Sequence, residues 1–468
     1  MQFIADLNNK INGIVWGLPM MVLILGVGIY LSVGCGFPQF AHFIHIMKNT
    51  LGKAFEKSEK KEGAVSPFKA MCTALAASIG TGNIAGVSGA IAIGGPGAVF
   101  WMWISALLGM CTKYAEVTLS IKYRERNEAG DWVGGPMYYI KNGLGKNWKW
   151  LGAIFAVFGA LAAFGIGNMT QINTIAATIN EAIGNFVSTT PEQQKTIAIV
   201  IGVIAAILIF VVLIGGITRI ADVCALLVPV MAVVYIVASL VIIFVNIGAV
   251  PAAFKSIFVG AFDPSAIAGG LAGVGIKTAI TKGVGRGIFS NEAGLGSASI
   301  AHAAADIDHP VAQGIFGVFE VFMDTIVVCT MTSLVVLLGV GIDNINFGTD
   351  IGASLTIHGF QSVFHGAIPA VVVAICLTLF AFSTILTWAL YGSRCWEFLL
   401  GEKIGKVYQI LFCIVVVIGA TMKLQTVWDI ADTLNGLMAI PNLIALALLS
   451  PVVIKLCKEY FAQVKKNK

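Results

Sequence analysis

Apolar residues run in long blocks along this chain, separated by short polar stretches, with no period-2 alternation of the kind a half-buried strand would show. Windows of about 20 apolar residues, the length a helix needs to cross the hydrocarbon core, predict eleven spans. They cover 12–34, 67–95, 97–121, 150–177, 196–214, 220–246, 266–304, 311–341, 366–392, 407–422 and 428–454. The expected fold class is an all-α polytopic membrane protein. The first run is too long for a signal-peptide core and lacks a small-residue cleavage site, so it reads as a retained span.

Two windows are not written as regular helices. Ala74 to Gly97 gathers Ser78, Gly80, Thr81, Gly82 and Asn83 in its middle, and the seventh window carries Gly285 to Ser299, GRGIFSNEAGLGSAS. Glycine relaxes the backbone, while Ser, Thr and Asn offer partners to the groups that a break frees. Irregular backbone at membrane depth is tolerated only where protein buries it or where it lines a watered cavity. Both segments are therefore expected to be discontinuous helices around a polar site, as in secondary transporters. A face of small residues for helix packing would use the same composition, and the pattern alone leaves that reading open.

Composition agrees with a lipid environment: 57% of residues are hydrophobic and 11% are charged, against about 25% charged in a soluble domain. Twenty Lys and Arg fall in loops on one side, at positions such as Lys48, Arg124, Lys146, Arg394 and Lys458. Four fall on the other side, namely Lys10, Lys195, Lys255 and Lys423. The positive-inside rule then predicts an outside amino terminus and a cytoplasmic carboxyl terminus. The run from Lys53 to Glu62 reads as a solvated cytoplasmic loop, and residues 349–363 as a short outside helix. GGPMYY, Gly134 to Tyr139, reads as an interfacial turn.

With the first span set aside, ten remain, and a broken span opens each group of five. Gly80 and Gly294 stand 214 positions apart. An odd number of spans per repeat inverts one half against the other. The expected organisation is an extra amino-terminal span with its loop (1–65), two inverted five-helix repeats (66–250 and 251–455) and a basic tail (456–468).

Candidate chemistry clusters at the breaks. A half-helix starting after Gly82 presents unpaired N–H groups and the positive end of its dipole, which suits a carboxylate without any arginine. Carbonyls near Ala77 and Ser78 could hold a cation or an ammonium group. Thr81 and Asn83 either touch substrate or cap the broken backbone. The seventh span offers Phe289, Ser290, Asn291, Glu292 and Gly294; Glu292 is costly in a membrane unless paired or protonated, and Arg286 is an available structural partner. Gln171 and Asn168 should share a helical face, either for substrate or for interhelical bonding. Ser383 and Thr384 supply uncharged hard oxygens suited to Na+, or bond to their own helix, and Trp388 could close one side of a pocket. Glu320 and Asp324 form either a proton relay or pairs with a base such as Lys113. Asp429 and Asp432 sit at an interface.

Enzyme readings find little support. The six histidines show no H-E-x-x-H pattern, and neither G-x-S-x-G nor a G-x-x-x-x-G-K-[ST] phosphate loop is present. Nine cysteines lack C-x-x-C spacing and read as packing residues.

The blocks MCTALAASIGTGNIAGVSGAIAIGGPGAVFWMW, MCTKYAE, GGPMYYI, FGIGNMTQIN and RGIFSNEAGLGSA closely resemble the sodium/alanine symporter family, and the likeness spans essentially the whole chain. The resemblance implies the leucine-transporter-type fold and Na+-driven uptake of alanine or glycine across a prokaryotic inner membrane, with no organic cofactor and no obligate protein partner. It also implies a substrate site including Thr81, Gly82, Asn83, Gln171, Phe289, Asn291 and Trp388. By similarity to the wider fold, Na+ would be held by carbonyls of Ala77 and Gly80 and hydroxyls of Ser383 and Thr384. Proton coupling through Glu292 or Glu320, and a passive channel, are the competing expectations.

Overall fold

Proline and glycine punctuate the chain where helices begin and end. Pro19, Pro67, Pro191, Pro310 and Pro369 each occupy the first turn of a helix, where the missing N–H costs nothing and the fixed φ is already helical. Ser66 caps the helix at Pro67 by accepting from Lys69 N at 3.3 Å, and Thr190 with Gln193 forms a reciprocal capping box. The computed structural model describes residues 2–53, 63–263, 275–348, 352–364, 366–422 and 425–466. The polar run from Lys53 to Glu62, the opening of the seventh window and the start of the 349–363 segment lie largely outside the described residues.

In chain order the main helices are α1 (Gln2–Val15), α2 (Leu18–Cys35), α3 (Pro67–Ser78), α4 (Val87–Gly94) and α5 (Gly97–Tyr123). A two-stranded hairpin follows, pairing β1 (Glu125–Arg126) with β2 (Trp132–Val133). Then come α6 (Lys149–Phe164), α7 (Thr170–Gly184), α8 (Pro191–Leu213), α9 (Gly216–Val245) and α10 (Val250–Phe262). The second half holds α11 (Ile276–Asn291), α12 (Ala298–His302), α13 (Pro310–Val321), α14 (Thr330–Val335), α15 (Ile368–Leu400), α16 (Glu402–Gly419) and α17 (Gln425–Lys466). Among the described residues, eight helices are long and apolar enough to cross a bilayer, or nine if the bent pair of α3 with its continuation counts as one. Helix α11 falls short of that test at 16 residues, and α16 carries Glu402, Lys403 and Lys406 in its first turns.

In the larger of two packed apolar clusters among the described residues, α3, α5, α11, α13 and α15 surround the two breaks. The second cluster gathers α4, the start of α5, α10 and α14. Helices α8 and α9 pack their inner faces into the larger one through residues such as Ile209, Cys224 and Tyr235, while their outer faces expose Val203, Ile207, Val233 and Phe244, as a lipid-facing surface requires. The 349–363 segment does contain a short helix, Ser354–Gln361. GGPMYY forms a helical turn packed into the protein: Pro136 to Tyr139 are all buried, and Tyr139 OH donates to Asn442 Oδ1. A β-carbon on Gly135, whose φ is 108°, would stand 2.6 Å from Ile300, so glycine is what lets this turn enter the core.

A candidate substrate and ion site at two broken helices

Helix α3 stops at Ser78. Ile79 adopts an extended conformation (φ −77°, ψ 93°), and the chain resumes through a wide turn at Gly82–Gly86 into α4, bent by 50°. Asn83 braces this break. Its Oδ1 accepts from Gly80 N at 2.8 Å, and its Nδ2 donates to Asp324 Oδ1 at 2.6 Å. Helix α11 stops at Asn291, where Glu292 takes a left-handed conformation (φ 56°), and a short coil through Gly294 and Gly296 leads to α12. Asn291 does here what Asn83 does at the first break. Its Oδ1 accepts from Ala293 N at 2.9 Å, and its Nδ2 donates to Thr325 Oγ1 at 3.0 Å. The freed backbone of Gly294 is met by Glu116 Oε1, 2.9 Å from its N–H, and by Asn442 Nδ2, 2.9 Å from its carbonyl.

The two breaks enclose a small cavity. From the first come Ala77, Ser78, Gly80, Thr81 and Gly82, and from the second Phe289 and Glu292. Ile166, Gln171, Thr384 and Trp388 complete it. About 10 Å³ is open to the centre of a water, close to the least that admits one water molecule, so this conformer is contracted. Two polar atoms are buried there without a hydrogen-bond partner: Thr81 Oγ1 and Gln171 Oε1. Gln171 Nε2 donates to Ile166 O at 2.9 Å, which leaves the carbonyl oxygen as its unused end. Buried polar atoms are rarely orphaned, and such atoms facing a cavity point to a polar occupant.

Gly80 stands where the oxygens converge. A β-carbon there would lie 2.8 Å from Thr384 Oγ1, 3.8 Å from Ala77 O and 3.8 Å from Gln171 Oε1. Thr384 Oγ1 is 2.9 Å from Ala76 O and 2.9 Å from Phe380 O, and Thr387 donates to Thr73 O at 2.9 Å. Two hydroxyls of α15 thus hold the end of α3. Ser383 lies next to them, yet its Oγ donates to Phe380 O at 2.9 Å and does not line the cavity. Asn83 and Asn291 likewise lie behind the lining, as braces.

Aromatic side chains form two walls. Trp388 is buried against Gly167, whose β-carbon would overlap Trp388 Cβ at 2.1 Å. Phe289 lies against Gly82, at 3.3 Å from the position of its β-carbon. Beyond Phe289 is a vestibule of about 580 Å³, lined also by Trp16, Lys277, Arg286 and Asp432. Phe289 is the residue common to the vestibule and the cavity.

Several pairings differ from expectation. Arg286 is not the partner of Glu292: its guanidinium stands 5.3 Å over the Phe289 ring, and Glu292 Oε2 accepts from Ser297 Oγ at 2.6 Å. Gln171 and Asn168 part company, since Asn168 Nδ2 donates to Phe412 O at 2.8 Å. The wide turn at Gly165–Met169 adds a residue per turn and rotates the two apart. Glu320 pairs with Lys113 Nζ at 3.1 Å and also accepts from Ser78 Oγ at 2.8 Å. His302 Nε2 lies 3.1 Å from its other oxygen. A charge inside a predicted span was the available signal for Lys113 and equally for Glu116; nothing local marked Asn442.

Two interrupted helices meeting at a buried polar cavity, inside a bundle of apolar spans, define a membrane transporter of the leucine-transporter type. Solved structures of that architecture superpose on the chain. The crystal structure of MhsT in complex with L-phenylalanine matches with a TM-score of 0.59 over 85% of this chain and 99% of its own, at 12% identity. The model of the sodium:alanine symporter family matches residues 1–468, and the chain belongs to that family. It is 48% identical to the sodium/alanine symporter AgcS of Methanococcus maripaludis, over 100% of this chain and 99% of the relative. It is 37% identical to the probable sodium/glutamine symporter GlnT of Bacillus subtilis, over 100% and 93%.

Proposed function

We propose that the protein imports small neutral amino acids, alanine or glycine, in symport with Na+. The observation that carries this reading is the pair of orphaned oxygens, Thr81 Oγ1 and Gln171 Oε1, in a cavity bounded by the first break. The substrate carboxylate lies against the N–H groups that begin the helical segment after Gly82. Phe289 and Trp388 limit side-chain volume, which favours alanine over the glutamine named for one relative. Na+ is held by uncharged oxygens, with Thr384 and the Ala77 and Gly80 carbonyls nearest and Ser383 available after a rotamer change. Asn83 and Asn291 serve the substrate from behind, by holding the two breaks open.

The transport cycle follows from the same parts. Na+ fixes the relation of α3 to α15, which raises affinity for the amino acid, and the coupling is reciprocal. Each inward Na+ adds about 2.3 kcal/mol per 100 mV of membrane potential. The architecture we propose is eleven spans, one preceding two inverted five-helix repeats (66–250 and 251–455). The amino terminus is outside, and the basic 456–468 tail is in the cytoplasm of a prokaryotic cell.

Uptake of radiolabelled alanine into proteoliposomes, with ion gradients imposed one at a time, tests the proposal. Uptake should need inward Na+ and collapse when choline replaces it. Uptake driven by a pH gradient alone would instead support the second reading, proton coupling, for which the buried Lys113–Glu320–His302 group is the specific observation.

A further inference from the structure

The lining of the cavity is rich in oxygens. Thr81 Oγ1 and Gln171 Oε1 are both buried and unpartnered, and Ala77 O lies beside them near Gly80; the two carbonyl oxygens accept, and the Thr81 hydroxyl can accept or donate. Glu292 is the one ionisable side chain among the lining residues. Its Oε2 accepts from the Ser297 hydroxyl at 2.6 Å. Among the described residues it forms no ion pair. Lys113 is committed to Glu320 at 3.1 Å, and Arg286 is over Phe289. Glu292 reaches this place through a left-handed backbone conformation, φ 56°, that an L side chain adopts at a cost.

We propose that the Glu292 carboxylate is the counter-charge for the substrate's α-ammonium group. It thereby selects α-amino acids over α-hydroxy acids of the same shape. The inference rests on the transport reading above and adds to it the second pole of the zwitterion. The first break supplies N–H donors to the carboxylate end. The second break supplies a fixed negative charge to the ammonium end, with Gln171 Oε1 as a neutral acceptor alongside. Lys113 acts on Glu292 only at a distance, and a buried carboxylate without a direct ion-pair partner among the described residues is costly, a cost that a cationic ligand lowers on binding. An α-hydroxy acid carries one negative charge and offers a neutral hydroxyl to the same pocket, so it leaves Glu292 unpaired beside a net anion. Selectivity of this kind, in which the wrong ligand strands a buried polar group, is steep.

The test uses the full-length protein in proteoliposomes under a Na+ gradient, with labelled L-alanine and L-lactate as probes. The parent should take up alanine and discriminate strongly against lactate. Glu292→Gln should raise the alanine KM at saturating Na+ by about tenfold or more, the loss of a charge-assisted bond. It should narrow the alanine-to-lactate ratio by a similar factor while half-saturation by Na+ moves little. Glu292→Asp should fall between the two. A Glu292→Gln protein with the parent's KM and ratio overturns the proposal. So does one in which Na+ half-saturation shifts and the ratio does not, since that makes Glu292 an ion ligand. If Glu292→Gln fails to fold, Glu292→Asp and Ser297→Ala decide. Parent ratios in both overturn the inference, and a narrowed ratio in either supports it. Absence of Na+-dependent alanine uptake by the parent would instead sink the transport reading, a separate and recognisable failure.

Discussion

Asn83 of the first break donates to Asp324 Oδ1 at 2.6 Å. The same carboxylate oxygen receives Ser290 Oγ from the end of α11 at 3.1 Å. Its other oxygen receives Thr325 Oγ1 at 2.7 Å, and Thr325 in turn receives Asn291. Two neighbouring residues on one helix therefore hold both interrupted helices, and the spacing between the breaks depends on a buried carboxylate that accepts from three side chains.

Removing that hub should cost more than removing any single brace. Asp324→Ala strands the Asn83 and Ser290 donors together, and each buried unsatisfied donor costs about 1–3 kcal/mol. Thermal unfolding in detergent should fall by several degrees for Asp324→Ala, and by less for Asn83→Ala or Ser290→Ala. Transport should be lost in the first even where protein is recovered. Equal unfolding temperatures across the three variants would contradict the shared-hub arrangement.

The hub also marks where sequence reading stops. Gly80, Thr81, Gly82 and Gly294 were legible because a break needs glycine and short polar side chains close by, which is local chemistry. Lys113 and Glu320 were legible as intramembrane charges in want of partners. What joins Asn83 to Asp324 is a contact across 241 positions, and no local pattern encodes such a meeting. The two asparagines show the difficulty most clearly. An Asn near a break serves a ligand or serves the backbone with the same atoms, and the packing of the wide turn Phe322–Cys329 that continues α13 decides between them. Glu292 is conspicuous for its charge, but the sequence offers Arg286, six residues back along a helix, as its partner. The chain leaves the helix at that residue, so helical spacing no longer applied.

Trp388 packs directly on Gly167, with no room for a β-carbon. Gly167→Ala should displace the indole and abolish tight alanine binding. Trp388→Ala should leave the fold intact and admit larger side chains. Competition of alanine uptake by serine, valine and glutamine distinguishes the two variants: Trp388→Ala should broaden the set of effective competitors, whereas Gly167→Ala should weaken all of them. An unchanged competition profile in Trp388→Ala would remove that residue from the substrate site.

Thr384 and Gly80 make a matched pair for the ion. Thr384→Ala deletes the hydroxyl that lies 2.9 Å from Ala76 O. It should raise half-saturation by Na+ by about tenfold, while alanine KM at saturating Na+ shifts by a small factor, because a net hydrogen bond or one ion ligand is worth about 1–2 kcal/mol. Gly80→Ala drives a methyl to 2.8 Å from the same hydroxyl and should impair Na+ and alanine together. Thr384→Ala with the parent's Na+ dependence would move the ion elsewhere.

At the far end of α15, Arg394 closes a polar clamp. It donates to Asp131 at 2.9 Å and to Glu397 at 2.6 Å, and Asn127 donates to Glu397 at 2.8 Å. Asp131 belongs to the hairpin turn between β1 and β2, which Arg124 and Arg126 steady from 4.2 Å and 4.3 Å over the Trp132 ring. The clamp thus ties the loop after α5 to α15, the helix that carries Thr384 and Trp388. The ion pairs are largely buried and one guanidinium bridges two carboxylates, so they are worth more than an exposed pair, and breaking them should favour a conformer open on this side. Cys395 reports the change without an introduced cysteine, since it is fully buried beside the clamp. Arg394→Ala should make Cys395 reactive to maleimide in membranes, and Arg394→Lys should do so less, because lysine cannot span both carboxylates with one planar fork. Cys395→Ser in the same background must remove the added labelling. Maleimide reactivity that stays at the parent level in Arg394→Ala would mean that the clamp fastens the loop but does not govern opening.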